Sequence, residues 1–240
     1  MAEGVGAVRS VGRRSALAGY LRVVGAIVSK DIAAEMRSRE LLGSMLIFSL
    51  LVILIFNFAL ELDLRTRQTV TAGVLWVTFA FAGTLGLNRS MAIEKDRGCL
   101  DGLLLAPVDR SALYFGKVFS NLLFMIIVEA IILPLYSLLY NVNLFHPGLI
   151  GVVLLGSIGY VVIGTLLSAM AVQARTRDIL LPILLFPVVL PVLVAAVKAT
   201  TGFLEGLPFE EFKAWLSLLI AYDGIFLGVA IVLFDYVVEE

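Results

Sequence analysis

One cysteine, Cys99, and one histidine, His146, are all that 240 residues carry of the two commonest transition-metal ligands. A lone cysteine closes no disulfide within the chain and builds no Cys-based metal site. His146 sits in the short segment Asn141–Gly148 with no Cys, Asp or Glu beside it, so a metal cluster there is excluded as well. No Gly-rich phosphate loop ending in Lys-Ser or Lys-Thr is present, so any ATP used must be bound by another chain. Charge is scarce too: 15% of residues, where a soluble domain carries about a quarter. The net charge of −1 and the lack of a basic cluster give nucleic acid no surface. Nor is a signal peptide recognisable, since the apolar stretch Ala16–Val28 is interrupted by Arg22 and no small-residue cleavage site follows.

What is abundant is apolar surface, at 60% of residues with a mean hydropathy of +1.02. A compact core cannot absorb that much, so much of it must face lipid. Runs of roughly 20 apolar residues, the length that crosses about 30 Å of hydrocarbon, recur six times. The expected spans are Leu41–Leu60, Thr69–Leu87, Val118–Tyr140, Leu149–Val172, Ile179–Val197 and Leu216–Val238, each bounded by charge or by Gly, Pro or Asn. The fold class expected is an all-α integral membrane protein with six transmembrane helices, an N-terminal amphipathic helix and a cytoplasmic coupling helix. Residues 1–15 read as a disordered tail and 16–240 as one transmembrane domain. Leu17, Tyr20, Leu21, Val24, Ile27 and Val28 fall at helical spacing, which suits a helix lying on the membrane surface.

Fourteen of the eighteen lysines and arginines lie on the N-terminal segment and on the second and fourth loops, against four on the alternate loops. The positive-inside bias therefore puts both termini in the cytoplasm. Thr200–Trp215, with Pro208, Phe209, Phe212 and Trp215, then lies outside and reads as a short interfacial helix. His146, also on that side, reads as a turn residue, an axial haem ligand being the alternative.

The segment RSMAIEKDRGCLDGLLLAPVDRSALYFGK, Arg89 to Lys117, forms the longest cytoplasmic loop. Gly98 can stop a helix running on from the second span. Leu100, Leu103 and Leu104 share one face of a short helix with Asp101 on another, Pro107 ends it, and Asp109 can cap the next. Docking into a groove on a soluble partner and resting on lipid headgroups both fit this pattern. The run from Glu94 to Lys117, an acidic–Arg–Gly–x–Leu–acidic start followed by Leu-Leu-x-Ala-Pro and a closing Gly-Lys, resembles the coupling loop of type-2 ABC exporter permeases. AGVLWVTFAF in the second span and LLFPVVLPVLVAA in the fifth are similar to the haem exporter protein B family of bacterial cytochrome c maturation. The resemblance runs from about Lys30 to the end, with Cys99 standing where Ser or Thr is expected.

The resemblance implies a multi-pass permease of the bacterial inner membrane, without a catalytic site of its own. Its partners would be a separate ABC ATPase subunit that binds ATP, a haem-handling membrane subunit and its small companion, and indirectly a periplasmic haem chaperone. Haem would be handled by the complex; the chain itself has no Cys-x-x-Cys-His, no Trp-rich outer motif and no paired histidines, so no haem site is assigned to it. The residues implied in ATPase coupling are Glu94, Asp96, Arg97, Gly98, Leu100, Asp101, Leu103, Leu104 and Pro107. Competing readings are a permease of the same superfamily for a lipid, drug or polysaccharide, and a membrane scaffold that transports nothing.

Inside the spans, Glu129 is costly to insert, about 2.5–3.5 kcal/mol, so a functional or helix-gluing role is expected without a nameable partner. Pro182, Pro187 and Pro191 each remove a backbone hydrogen bond from the fifth span, which reads as either a flexible, broken helix or a static kink. Gly151, Gly156, Gly159 and Gly164, with Ser168, suit close helix packing. Asn57, Arg175, Arg177 and Asp178 read as boundary features.

Overall fold

The structure, a computed structural model, describes residues 3–59, 64–96, 110–172, 174 and 176–237, with side chains described for 18–59, 70–96, 110–172, 174 and 176–233. Among the described residues there are seven helices: α1 (Glu3–Ser38), α2 (Glu40–Ala59), α3 (Leu64–Asp96), α4 (Arg110–Tyr140), α5 (Pro147–Ala171), α6 (Arg177–Leu204) and α7 (Phe209–Val237). There is no strand among the described residues. Six helices, α2 to α7, are long and apolar enough to cross a membrane, as the sequence predicts. Helical rather than extended structure follows from the solvent: in hydrocarbon, a helix satisfies its backbone groups internally.

The spans are not equivalent. Of the apolar stretches of α3 and α5, 72% is buried within the bundle, against 22% for α2 and 17% for α7. α3 and α5 are thus the central pair, with α6 packed on both and α7 on α5 and α6. Small residues let this pair close up. A Cβ at Gly156 of α5 would stand 2.2 Å from the Trp76 ring of α3, so only glycine admits the indole. That indole donates from Nε1 to Thr200 Oγ1 of α6 at 3.0 Å. Ile47, Leu51 and Ile55 of α2 and Ile220, Ile225 and Val232 of α7 face outward, the surface that lipid must cover.

Chain direction alternates, so one end of the bundle holds the start of α2, the end of α3 and the start of α4. The opposite end is aromatic. Tyr136 and Tyr140 stack at 4.2 Å, and Tyr136 donates to the Thr71 carbonyl at 3.0 Å. His146 caps α5, its Nδ1 accepting from the Gly148 N–H at 3.2 Å with Pro147 at the first helical position. Its ring lies 5.5 Å from Phe203, which meets Phe212 edge-on at 4.7 Å.

Two expectations need correction, and one open alternative is narrowed. Thr200–Trp215 is not a separate interfacial helix: α6 runs to Leu204, Gly206 turns the chain at φ +65°, and α7 starts at Phe209. Phe209, Phe212 and Trp215, which read as the aromatic anchor of that helix, lie in the first turns of α7. Of the two readings left open for the prolines of α6, the structure shows no break. The helix runs unbroken through Pro182, Pro187 and Pro191, with Pro187 and Pro191 on its exposed side. Finally, α4 does not start at Val118 but about two turns earlier, at Arg110, while α3 runs on past Leu87 to Asp96 as a helix continuing from the second span would, so much of the expected loop is helix.

Candidate functional site

Those extra turns carry the charges. α3 presents Arg89, Glu94, Lys95 and Asp96 beyond its apolar run, and α4 brings in Lys117 two turns from its start. α1 lies against α4 and buries Val24, Ile27, Asp31 and Glu35, a stripe at spacings of three and four. Gly116 of α4 permits the approach, because a Cβ there would come within 2.8 Å of the Ile27 side chain. Leu21, one of the apolar residues of the expected surface helix, faces outward instead, at 60% exposure.

The acidic part of that stripe meets two lysines. Lys117 Nζ lies 2.9 Å from Asp31 Oδ2 and 2.6 Å from Glu94 Oε1. Lys30 Nζ lies 3.3 Å from Asp31 Oδ1 and is bonded to Glu94 Oε1 as well. Two cations and two anions therefore alternate in a closed quartet that joins α1, α3 and α4. Asp31, Glu94 and Lys117 are buried, while the side chain of Lys30 keeps 42% exposure. Taking a partner out of a buried pair costs about 3–5 kcal/mol, since a charge is left without compensation. Burial, the largest single influence on Lys30, lowers its pKa, but the hydrogen bond and charge of Glu94 and the charge of Asp31 together hold it above the ordinary 10.5. A cavity of about 150 Å³ opens beside the quartet, lined by Glu35, Ser90 and all four members.

Glu35 serves the next helix. Its carboxylate accepts from Leu41 N at 3.3 Å and Leu42 N at 2.8 Å, taking two of the N–H groups that the start of α2 leaves unpaired. Arg39, at φ +56°, makes the corner between α1 and α2. Around this core stands a rim of more exposed contacts. Arg89 pairs with Glu40, Arg177 grips Asp96 with two bonds of 3.0 and 3.1 Å, and Asn88 donates to Asp178 at 2.9 Å. Lys95 caps the end of α5 through the Val172 carbonyl at 2.7 Å. Every helix from α1 to α6 is thereby tied in at this one end.

Of the residues the sequence assigned to coupling, Glu94 and Asp96 are on α3, the first turned into the quartet and the second outward to Arg177. Arg97, Gly98, Leu100, Asp101, Leu103, Leu104 and Pro107 lie outside the described residues, as do the expected Gly98 stop, the coupling helix and the Asp109 cap. Their segment is bracketed by the quartet, because Glu94 stands two residues before Asp96 and Lys117 on the helix that follows.

The membrane interior holds a second polar group. Glu129 of α4 is buried and accepts a hydrogen bond from Ser157 Oγ of α5, the partner that sequence could not name. Asn121 to Thr165 at 3.1 Å and Tyr114 to the Val162 carbonyl at 2.7 Å join the same two helices. Sequence reading passed over Asp223 of α7, although an acidic residue inside a span was the signal that had singled out Glu129. It also passed over Lys30 and Asp31 as site residues, since nothing in a lysine–aspartate pair announces partners more than sixty positions away.

Comparisons with known proteins agree with one another. The family model described as CcmB protein matches residues 22–236. Heme exporter protein B of Pseudomonas aeruginosa is 26% identical over 200 residues, which cover 83% of this chain and 90% of the relative. Heme exporter protein B of Rhodobacter capsulatus is 27% identical over 195 residues, covering 80% and 88%. That of Haemophilus influenzae is 28% identical over 174 residues, covering 71% and 77%.

Proposed function

This chain belongs to the CcmB protein family, and we propose that it is the permease subunit of a haem-export complex, converting ATP hydrolysis in a separate subunit into movement of membrane helices. The observation that carries this reading is the quartet of Lys30, Asp31, Glu94 and Lys117. It clasps together the two helices from which residues 97–109 leave and return, and locks both to α1. A force applied to that segment is then passed to three helices at once rather than lost in a hinge. Buried, mutually satisfied ion pairs suit the task, because they resist separation more than they add to net stability.

The ion-paired end faces the cytoplasm in this reading, with both termini on the same side, as the distribution of lysine and arginine favours. The ATPase subunit docks there on Arg97, Leu100, Asp101, Leu103 and Leu104, while Glu94 works from within as a positioning residue. The haem-handling membrane subunit and its small companion pack along the outward apolar faces, and the periplasmic chaperone is served from the aromatic end. The protein resides in the bacterial inner membrane. Haem contact is not assigned to this chain, and His146 already spends Nδ1 on its own helix cap.

The test is a pull-down in mild detergent with the cognate ATP-binding subunit. Arg97→Ala with Asp101→Ala is expected to lose the ATPase while membrane insertion stays intact. Retention of the ATPase together with normal cytochrome c maturation would show that the segment merely rests on headgroups, and the coupling reading would fall.

A further inference from the structure

α7 is the least buried of the six spans, yet it turns an acidic side chain inward. Asp223 lies fourteen residues from Phe209, roughly 21 Å along the helix at 1.5 Å per residue, and so well inside the hydrocarbon. Both carboxyl oxygens are enclosed, and neither has a hydrogen-bond partner among the described residues. The space it occupies is made by Gly159 of α5: a Cβ there would stand 2.3 Å from Asp223 Oδ1, with Val192 of α6 alongside. Any other residue at 159 would expel the carboxyl.

The polar groups that the neighbouring helices bring near this level are engaged elsewhere. Tyr222, on the same helix, donates to the Val188 carbonyl of α6 at 2.6 Å. Tyr160, beside Gly159 on α5, shares its hydroxyl between Thr84 at 2.6 Å and the Ala80 carbonyl at 2.5 Å. Glu129 of α4 is held by Ser157. Lys198 of α6 is exposed near the aromatic end, and Lys213 of α7 is paired with Glu210. No described cation therefore offsets a charge at Asp223. An ionised carboxylate without cation or donor is among the costliest groups to hold in hydrocarbon, whereas the neutral acid escapes that charge penalty. Alanine or serine would fill the Gly159 notch more cheaply than either form, so packing does not account for an acid there.

We propose that Asp223 is a proton-binding site inside the membrane, carried as the neutral acid while α7 is seated on the Gly159 notch. The proton leaves only when α7 shifts from α5 and water reaches the carboxyl; the O–H bond then breaks and the proton passes to that water. Glu129 differs in having a built-in donor, which is why the assignment falls on Asp223. The proposal stands on geometry and is independent of the transport reading.

Infrared spectroscopy of the full chain in lipid nanodiscs tests it at neutral pH. Glu129→Gln, which removes the other acid held well inside the hydrocarbon, is expected to retain the carbonyl stretch of a protonated carboxylic acid, and Glu129→Gln with Asp223→Asn is expected to lose it. Wild-type chain labelled with a heavy carbon in the aspartate carboxyl needs no substitution, and its acid band is expected to shift. An acid band that is absent from the first variant, persists in the second, or fails to move on labelling would overturn the assignment.

Discussion

At the end where residues 97–109 leave and return, the helices are joined by charge; at the opposite end they are joined by rings. The quartet of Lys30, Asp31, Glu94 and Lys117 needs every member, because each ion is compensated by two others. The His146, Phe203, Phe212 and Phe209 contacts at the far end are individually replaceable, since dispersion and ring packing are spread over many atoms. One end is therefore specific and brittle, the other adhesive and tolerant. That difference suits the coupling proposed above, in which the end that is pushed would keep its geometry while the other would let helices slide.

The largest expected effect strikes the quartet. Lys117→Met leaves Asp31 and Glu94 facing each other with only the half-exposed Lys30, and should lower unfolding stability by about 3–5 kcal/mol in a mixed-micelle titration. A loss under about 1 kcal/mol would mean water already compensates these charges, and the contrast between the ends would collapse. Next comes the packing between the central pair. Gly156→Ala drives a Cβ into the Trp76 ring and should cost about 1–3 kcal/mol by the same titration. Thr200→Val removes the acceptor of the indole N–H and should cost only about 1 kcal/mol, as is usual for a single hydrogen bond between membrane helices. An effect as large as that of Lys117→Met would make the aromatic half the brittle one.

The smallest effect is in pH dependence. Because the folded chain holds Lys30 above 10.5, its contribution to stability is complete below the unfolded value and is lost as pH rises through the folded one. This contribution should thus be flat through neutral pH and fall in strong alkali, and Lys30→Met should flatten part of that fall. An unchanged alkaline limb in this variant would place the stabilising charge elsewhere in the quartet.

The six spans were readable because hydrocarbon demands uninterrupted apolar length, and little else in the sequence imitates it. Their ends were less so. Arg89, Glu94 and Asp96 fell in the expected loop, on a helix running on from the second span, and that helix continues past the apolar run because α1, α2 and α6 supply opposite charges. Phe209, Phe212 and Trp215 misled at the start of α7, because an interfacial aromatic anchor and the first turns of a span show the same residues. The partners of Glu94 and Glu129 were illegible in principle, since spacing along one helix says nothing about the side chain that another helix places opposite. Asp223 was legible and overlooked: the rule that marks Glu129 marks it equally.

The central claim, that the quartet transmits force rather than merely adding stability, is tested most directly with Lys117→Met in the assembled complex. ATP hydrolysis and cytochrome c maturation would be measured on the same preparation. The account predicts that the ATPase subunit stays bound and hydrolyses ATP while maturation fails. Normal maturation by a correctly inserted Lys117→Met complex would contradict it.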